Sequence, residues 1–332
     1  VAKGLLEIEM TFYMPPSDVI VLQNDSLQAW VLPYGARLMQ LWWMTAPEGP
    51  RPLTLGFKNP ADYRQDNASI GAVCGRYGNR IAQGQLARNG QQWALDINNS
   101  KGHCLHGGRE GSGQLDWSVL AADANAVILT LDTPDGHMGF PGRCTAQVTY
   151  ALQGSRLVWQ VQAEVDAPCP LNFVQHSYWN LDAQAGLQHH RLQVNAQAYL
   201  PTDALDLPLP AQSVQDTPFD FRAAAGFPES QIQQLDVAVK LDAERHLRRV
   251  ACLSGRDLSL TLSTDRPWMH VYAAGNLTPG SAPLGAAHLP GAALCLETED
   301  MPNGPALDAP VWYAPGQKYF HNMAFDFTPT ER

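Results

Sequence analysis

Arg156-Leu157-Val158-Trp159-Gln160-Val161-Gln162-Ala163-Glu164-Val165 carries Leu157, Trp159, Val161, Ala163 and Val165 on one face. Arg156, Gln160, Gln162 and Glu164 fall on the other. Successive side chains of a strand point to opposite sides, so this run predicts a strand with one dry face and one wet face. The same period recurs outward from it. Leu258, Leu260 and Leu262 alternate with Ser259, Thr261 and Ser263. Leu192, Val194, Ala196 and Ala198 alternate with Arg191, Gln193, Asn195 and Gln197, predicting one continuous strand. Residues 19–23, 27–32, 38–44, 91–97, 127–131, 145–152, 294–298 and 319–327 add further runs. One-sided burial favours antiparallel sheets over a parallel βαβ core.

Turn residues fall between the runs: Pro134-Asp135-Gly136, Pro141-Gly142, Ser254-Gly255, Pro279-Gly280 and Pro315-Gly316. Helical periodicity is weak, leaving room for one short helix within 223–235. No repeat or linker divides the chain. The expectation is an all-β fold, a large antiparallel β-sandwich formed as a single domain by residues 11–332. Two sandwiches side by side are the alternative.

A chain of 332 residues can bury well over half of its unfolded surface without disulfides or metals. Charged residues make up 16%, against ~25% in an ordinary domain, and the 27 Gly and 25 Pro suit many short strands joined by turns. The net charge is −10, with only five Lys and scattered Arg, which argues against a phosphate-binding surface and so against nucleic acid. An acidic surface suits a neutral small-molecule substrate, or simply keeps the chain in solution. Cys74, Cys104, Cys144, Cys169, Cys252 and Cys295 form no CxxC pair and read as reduced, mostly buried thiols. No stretch approaches ~18 consecutive apolar residues, so no membrane span is expected. Residues 1–10 carry Glu7 and Glu9 and lack a signal pattern. They read as an extension before a natural start at Met10, and the expected compartment is the cytoplasm. No feature of the sequence sets an oligomeric state.

Four polar clusters interrupt the β pattern. Gly75-Arg76-Tyr77-Gly78-Asn79-Arg80-Ile81 presents Arg and Asn together on a turn-permissive loop, where Asn79 and Arg80 could bond neighbouring hydroxyls. A surface turn with a solvated Arg is the plain alternative. His103-Cys104-Leu105-His106-Gly107-Gly108 holds two His at i, i+3, which invites a metal but lacks a third ligand. Its Gly pair suits a loop that brings an imidazole close to a ligand. Asn172-Phe173-Val174-Gln175-His176-Ser177-Tyr178-Trp179-Asn180 surrounds His176 with amides, hydroxyls and aromatic faces, the chemistry that meets a pyranose. An imidazole titrates near neutrality, so His176 can give or take a proton, unless it is a satisfied core residue. Leu294-Cys295-Leu296-Glu297-Thr298-Glu299-Asp300 puts Glu297 and Glu299 on one strand face; enclosed, such a carboxylate is poised as a general base. No P-loop, dinucleotide fingerprint or GxSxG competes. The residues by themselves point to a β-sandwich with an acid/base pocket for a neutral sugar.

In this order the clusters resemble the aldose 1-epimerase (galactose mutarotase) family, from about Tyr34 to Phe327. Beyond the motifs above, the resemblance is carried by Gly139-Phe140-Pro141-Gly142, Tyr199-Leu200-Pro201-Thr202-Asp203, Ser254-Gly255-Arg256, Gly275-Asn276 and Ala314-Pro315-Gly316. It implies a galactose-mutarotase-like sandwich, an isomerase that interconverts α and β anomers of free aldoses with no cofactor and no metal. By that resemblance Glu297 is the base at the C1 hydroxyl and His176 the acid at the ring oxygen. Arg80, Asn79 and His106 hold the sugar, and the acidic sugar ligand falls on Asp236, with Asp242 the alternative if the register slips. His270 stands where the family has a Gln that contacts sugar. Val237, Gln175 and Glu299 depart from the family pattern as well, so the preferred aldose stays open. A hexose-6-phosphate mutarotase of the same fold and a non-catalytic carbohydrate-binding sandwich are the competing readings.

Overall fold

In the computed structural model, which describes residues 14–232, 235–277 and 283–330, the alternating runs become antiparallel sheets. The extension read over residues 1–10 and the Pro279-Gly280 turn lie outside the described residues. The largest sheet has eight strands in the order Ser118–Ala122, Ala126–Thr133, Cys144–Gln153, Arg156–Val165, Tyr319–Pro329, Leu258–Thr264, Arg248–Ser254 and Arg191–Val194. A second has six, in the order Tyr178–Trp179, Leu294–Glu299, Trp268–Tyr272, Asp236–Lys240, Ala198–Leu200 and Gln212–Ser213. A third has four, Ile20–Gln23, Leu27–Leu32, Arg37–Trp43 and Arg51–Pro52.

Period two assigns the faces. Leu157, Trp159, Val161, Ala163 and Val165 are buried, as the decisive run predicts. On the six-stranded sheet Leu294, Leu296, Met269, Val271, Val237 and Val239 enter the same apolar core as Leu157, Leu260 and Phe325 of the eight-stranded sheet. Trp179 closes the two sheets against each other, its ring 4.9 Å from Phe325 and 5.9 Å from Phe327. The opposite face of the six-stranded sheet therefore collects Cys295, Glu297 and Glu299 from one strand, His270 and Tyr272 from the next, and Asp236 from the third. Their register is direct: Glu297 pairs with His270, and Tyr272 pairs with both Cys295 and Asp236.

One polar bridge crosses the dry side. Thr298 faces the core between Leu296 and the chain's turn outward, and its hydroxyl lies 2.8 Å from His321 Nε2. Thr264 donates to that same hydroxyl at 2.9 Å, and His321 Nδ1 lies 2.8 Å from the Phe173 carbonyl. A carbonyl can only accept, so Nδ1 carries the proton and Nε2 accepts from Thr298. Burial and the nearby Arg266 hold this imidazole neutral, with its pKa lowered to about 3.

Two expectations meet a different outcome. The run 191–198 is broken: Arg191–Val194 belongs to the eight-stranded sheet and Ala198–Leu200 to the six-stranded one. Ala196 N–H turns back onto the Val194 carbonyl at 2.9 Å, and Ala196 stays buried, so alternation continues through a change of sheet. Leu27–Leu32 and Arg37–Trp43 have no wet face; every position is buried. Leu27, Ala29 and Val31 enter the main core, while Trp30, Leu32, Met39 and Trp42 join a second cluster with Leu55, Tyr63 and Leu284. The short helix is Glu229–Ile232, one turn long. All six cysteines are free thiols, and only Cys252 is less than fully buried.

His321 binds fewer protons folded than unfolded between its lowered value and the usual ~6.5, so its contribution is lost as pH falls through that window. Urea denaturation is expected to show stability falling from pH 6.5 towards pH 4, by up to about 1.4 kcal/mol per pH unit from this group. His321→Gln should flatten part of that fall; an equally steep fall in the variant would clear His321 of the effect.

Candidate active site

A cavity of about 490 Å³ opens on the polar face of the six-stranded sheet. Asn79, Arg80, His106, His176, Asp236, His270 and Glu297, scattered over more than 200 positions of sequence, all line it. The sheet supplies Glu297, His270 and Asp236 by register; Arg80 begins the short strand Arg80–Ile81, and loops bring Asn79, His106 and His176.

His176 and Glu297 face each other, with Nε2 and Oε1 3.5 Å apart and both side chains nearly closed to bulk water. The His176 backbone is held on both sides: its N–H reaches the Ala72 carbonyl and its own carbonyl accepts from Gly71, each at 2.9 Å. Its ring stacks on Tyr178, with centroids 5.2 Å apart and planes inclined at 24°. The far ring nitrogen, Nδ1, lies 3.6 Å from Cys295 Sγ. A sulfur-length contact of this kind orients the ring and leaves Nε2 for the cavity.

Asn79 and His106 both adopt left-handed backbone, with φ of 62° and 52°. Side chains other than glycine resist this region at a cost of order 1–3 kcal/mol, and here two reciprocal bonds hold it. His106 N–H donates to the Asn79 carbonyl at 3.1 Å, and Asn79 N–H donates to His106 Nδ1 at 3.2 Å. With Nδ1 accepting, the His106 proton sits on Nε2. Burial, reinforced by His176 and Arg80, keeps His106 well below its ordinary pKa and therefore neutral. Gly107 follows at φ 87°, where a Cβ would stand 1.9 Å from the Gly75 carbonyl oxygen; no other residue fits.

His270 Nε2 lies 2.5 Å from Asp236 Oδ1. Burial works against charging this imidazole, but Asp236, Glu299 and Glu297 together raise it to about 9. Burial likewise works against the Asp236 carboxylate, and is outweighed by the His270 bond and by His270 and Arg80 charge, which lower it to about 2. Behind His270, Glu299 is pushed up to about 8, chiefly by burial, against the pull of His270. The cavity wall thus offers a neutral imidazole donor, a guanidinium, an ionised carboxylate and the facing His176–Glu297 pair. Among the described residues Arg80 is the only Arg or Lys lining it.

The alternatives raised by the sequence are decided by position. Asp242 is exposed and pairs with Arg248, outside this cavity. The loop at 75–81 is not a solvated turn: Arg76 is buried and donates to the Gly142 carbonyl at 2.7 Å and to Pro134 O and Thr133 Oγ1 at 2.9 Å. The metal reading of His103 and His106 fails on valence. His103 Nδ1 accepts from Gln83 N–H at 3.1 Å and its Nε2 donates to the Leu205 carbonyl at 2.9 Å, so both nitrogens are used. Among the described residues, the donor set that does converge is His176, Cys295 and Glu297, with ligand atoms within 4.8 Å of one another. A cation there would have to displace the Cys295 proton, which burial and Glu297 hold well above the usual thiol range.

Sequence reasoning passed over one wall. Asp66, Asn67, Ser69 and Ile70 line the cavity from a segment with no motif. Asp66 is fixed there by the buried Arg37, whose Nη1 lies 2.7 Å away. That partner is 29 positions distant and nothing in the sequence pairs the two.

The sequence model described as Aldose 1-epimerase matches residues 18–326. The aldose 1-epimerase of Escherichia coli K12 is 30% identical over 335 residues, spanning 94% of this chain and 95% of its own. The galactose mutarotase of Homo sapiens is 31% identical over 324 residues, spanning 92% and 93%. Among solved structures, an aldose epimerase homologue from C. elegans superposes with a TM-score of 0.88 at 27% identity, covering 94% of this chain and 99% of that one. A galactose 1-epimerase from Lactobacillus acidophilus superposes at 0.81 and 25%, covering 94% and 95%.

Arg76 and Arg80 share a loop but not a task. Arg76→Met, leaving several buried carbonyls without their donor, is expected to lower unfolding free energy in urea by about 2–4 kcal/mol. Arg80→Met should stay within about 1 kcal/mol of the parent. Equal losses would refute the division.

Proposed function

Because this chain belongs to the aldose 1-epimerase family and is a mutarotase, we propose that Glu297 and His176 carry the two proton transfers that open and close the sugar ring. The single observation that carries the assignment is their 3.5 Å approach on the cavity wall, with both side chains nearly closed to bulk water. Glu297 removes the proton of the C1 hydroxyl. The freed electron pair forms the C1=O double bond, the C1–O5 bond breaks, and O5 takes the proton from His176 Nε2. Rotation about C1–C2 presents the other face of the aldehyde. O5 then re-attacks C1, returning its proton to His176 as O1 recovers one from Glu297. No proton or electron is consumed, so no cofactor is needed for balance. Each placed acid or base typically contributes ~10²–10⁴-fold, and holding both beside one hemiacetal removes the entropy of bringing them together.

Arg80, Asn79, His106, Asp236 and His270 serve in this reading as the hydroxyl-binding wall. The His106 Nε2 proton and the Arg80 guanidinium donate; the Asp236 carboxylate accepts. A lining with Arg80 as its sole Arg or Lys among the described residues suits an uncharged aldose better than a sugar phosphate, whose anion calls for more than one cation. We also read residues 11–332 as one catalytic domain, since the cavity draws on residues as far apart as Phe57 and Glu297. Free, mostly buried thiols suit a reducing compartment and support a cytoplasmic site of action. No helix among the described residues is long and apolar enough to cross a membrane.

Polarimetry on freshly dissolved α-D-glucose or α-D-galactose should show faster equilibration with the protein than without it. Glu297→Gln and His176→Asn should each remove about 10²–10⁴-fold of that acceleration with the fold intact by circular dichroism. Parental rates in either variant would reject the assignment. Inhibition by sugar phosphates but not by free sugars would favour the phosphate reading, and binding without acceleration the non-catalytic one. Prior treatment with a chelator should leave the rate unchanged; a loss restored by added zinc would make His176, Cys295 and Glu297 metal ligands.

A further inference from the structure

Glu299 takes no part in the proton transfers, yet it is 1% exposed and shares a sheet face with Glu297. A carboxyl taken out of water at this depth is costly unless something nearby compensates it. Its Oε1 lies 3.3 Å from Asn79 Nδ2 and 3.7 Å from His270 Nδ1. The Asn79 amide cannot turn its oxygen towards this pair, because Oδ1 already accepts the Arg80 backbone N–H at 2.8 Å. Its NH₂ therefore lies 3.2 Å from His270 Nδ1, and with that nitrogen protonated the two are donors side by side, both turned towards Glu299. On the opposite edge of the same ring, Nε2 meets Asp236 at 2.5 Å. The imidazole is clamped between two carboxyl groups, one at the cavity mouth and one behind the wall.

We propose that Glu299 is a positioning residue: with Asn79 it holds His270 against Asp236, and Asp236, His270 and Glu299 share protons as one unit that sets the charge of the hydroxyl-binding wall. The proposal rests on the mutarotase reading only where it assigns the Asp236–His270 edge to sugar. The groups facing His270 are Asp236 from one neighbouring strand, Glu297 and Glu299 from the other, and Arg80 and His106 from the loops above. His106 is neutral and burial holds the Glu299 proton on, so Asp236 and Glu297 are set against one guanidinium, and a proton on His270 is the charge that balances them. Glu299 stands where its own ionisation, as pH rises, keeps that proton in place. The raised positions of both His270 and Glu299 agree with such sharing.

The test uses the full chain and two readouts. Imidazole ¹H–¹⁵N NMR, with the His270 signals identified through His270→Gln, follows the ring's titration. Tryptophan fluorescence follows equilibrium binding of D-glucose and D-galactose. In Glu299→Gln the His270 titration should move to lower pH by about one unit, which a merely structural role would not produce. Binding should weaken about five- to ten-fold in Glu299→Gln and in His270→Gln, with the double variant no weaker than the weaker single one. An unmoved titration, or losses that multiply in the double variant, would overturn the proposal. Should Glu299→Gln fail to fold, Glu299→Asp keeps the acid while shortening its reach and widening the gap to His270, and should shift the titration in the same direction. A parent protein that fails to accelerate mutarotation while the titration still moves would sink the reaction and leave the proton-sharing unit standing; acceleration with an unmoved titration would do the reverse.

Discussion

Asp236, Glu297 and Glu299 project from one face of a sheet whose other face is core, and the cost of holding three acids there governs the arrangement around them. Water offsets little of that cost for Glu297 and Glu299, which are buried, while Asp236 stands at the cavity mouth with its side chain 44% exposed. The protein answers with His270 between two of the acids, His176 beside the third and Arg80 above. Removing one member of such a set leaves a charge without its partner, which is why the groups behave as a cluster rather than as independent ligands.

The cluster needs a rigid floor and a precisely held roof. The floor is the six-stranded sheet, pinned from behind by Leu294, Leu296, Val271 and Trp179 in the core it shares with the eight-stranded sheet. Thr298, the polar exception on that dry side, is satisfied by Thr264 and His321, so even the strand that carries Glu297 leaves no orphan behind it. The roof is irregular. Asn79 and His106 hold each other in backbone that neither adopts readily, and Gly107 fits only because it has no Cβ. Strain of this kind persists where surrounding bonds over-determine it, and it concentrates where a protein handles ligands.

Arg76 and Arg80 illustrate how composition misleads at short range. Four positions apart in a glycine-punctuated loop, they look interchangeable. One is consumed by the carbonyls of Pro134 and Gly142, and the other reaches the cavity. His103 and His106 divide in the same way: the first spends both nitrogens on backbone groups, the second keeps one free.

Local chemistry alone was enough to read the strands, because side-chain direction alternates wherever backbone is extended, and water on one side writes that alternation into residue type. It was also enough to mark His176, Glu297 and the 79–80 loop, whose polar groups interrupt apolar runs. What alternation does not encode is which sheet a strand joins. The run 191–198 changes sheets without losing its period, and Leu27–Leu32 and Arg37–Trp43 lose their wet face to a second apolar cluster. Only the tertiary structure could seat Asp66 on Arg37, choose Asp236 over Asp242 for the cavity, and bring Glu299 behind His270. Those choices depend on strand order and on contacts between residues far apart in the chain, and a neighbour-by-neighbour pattern holds no record of either.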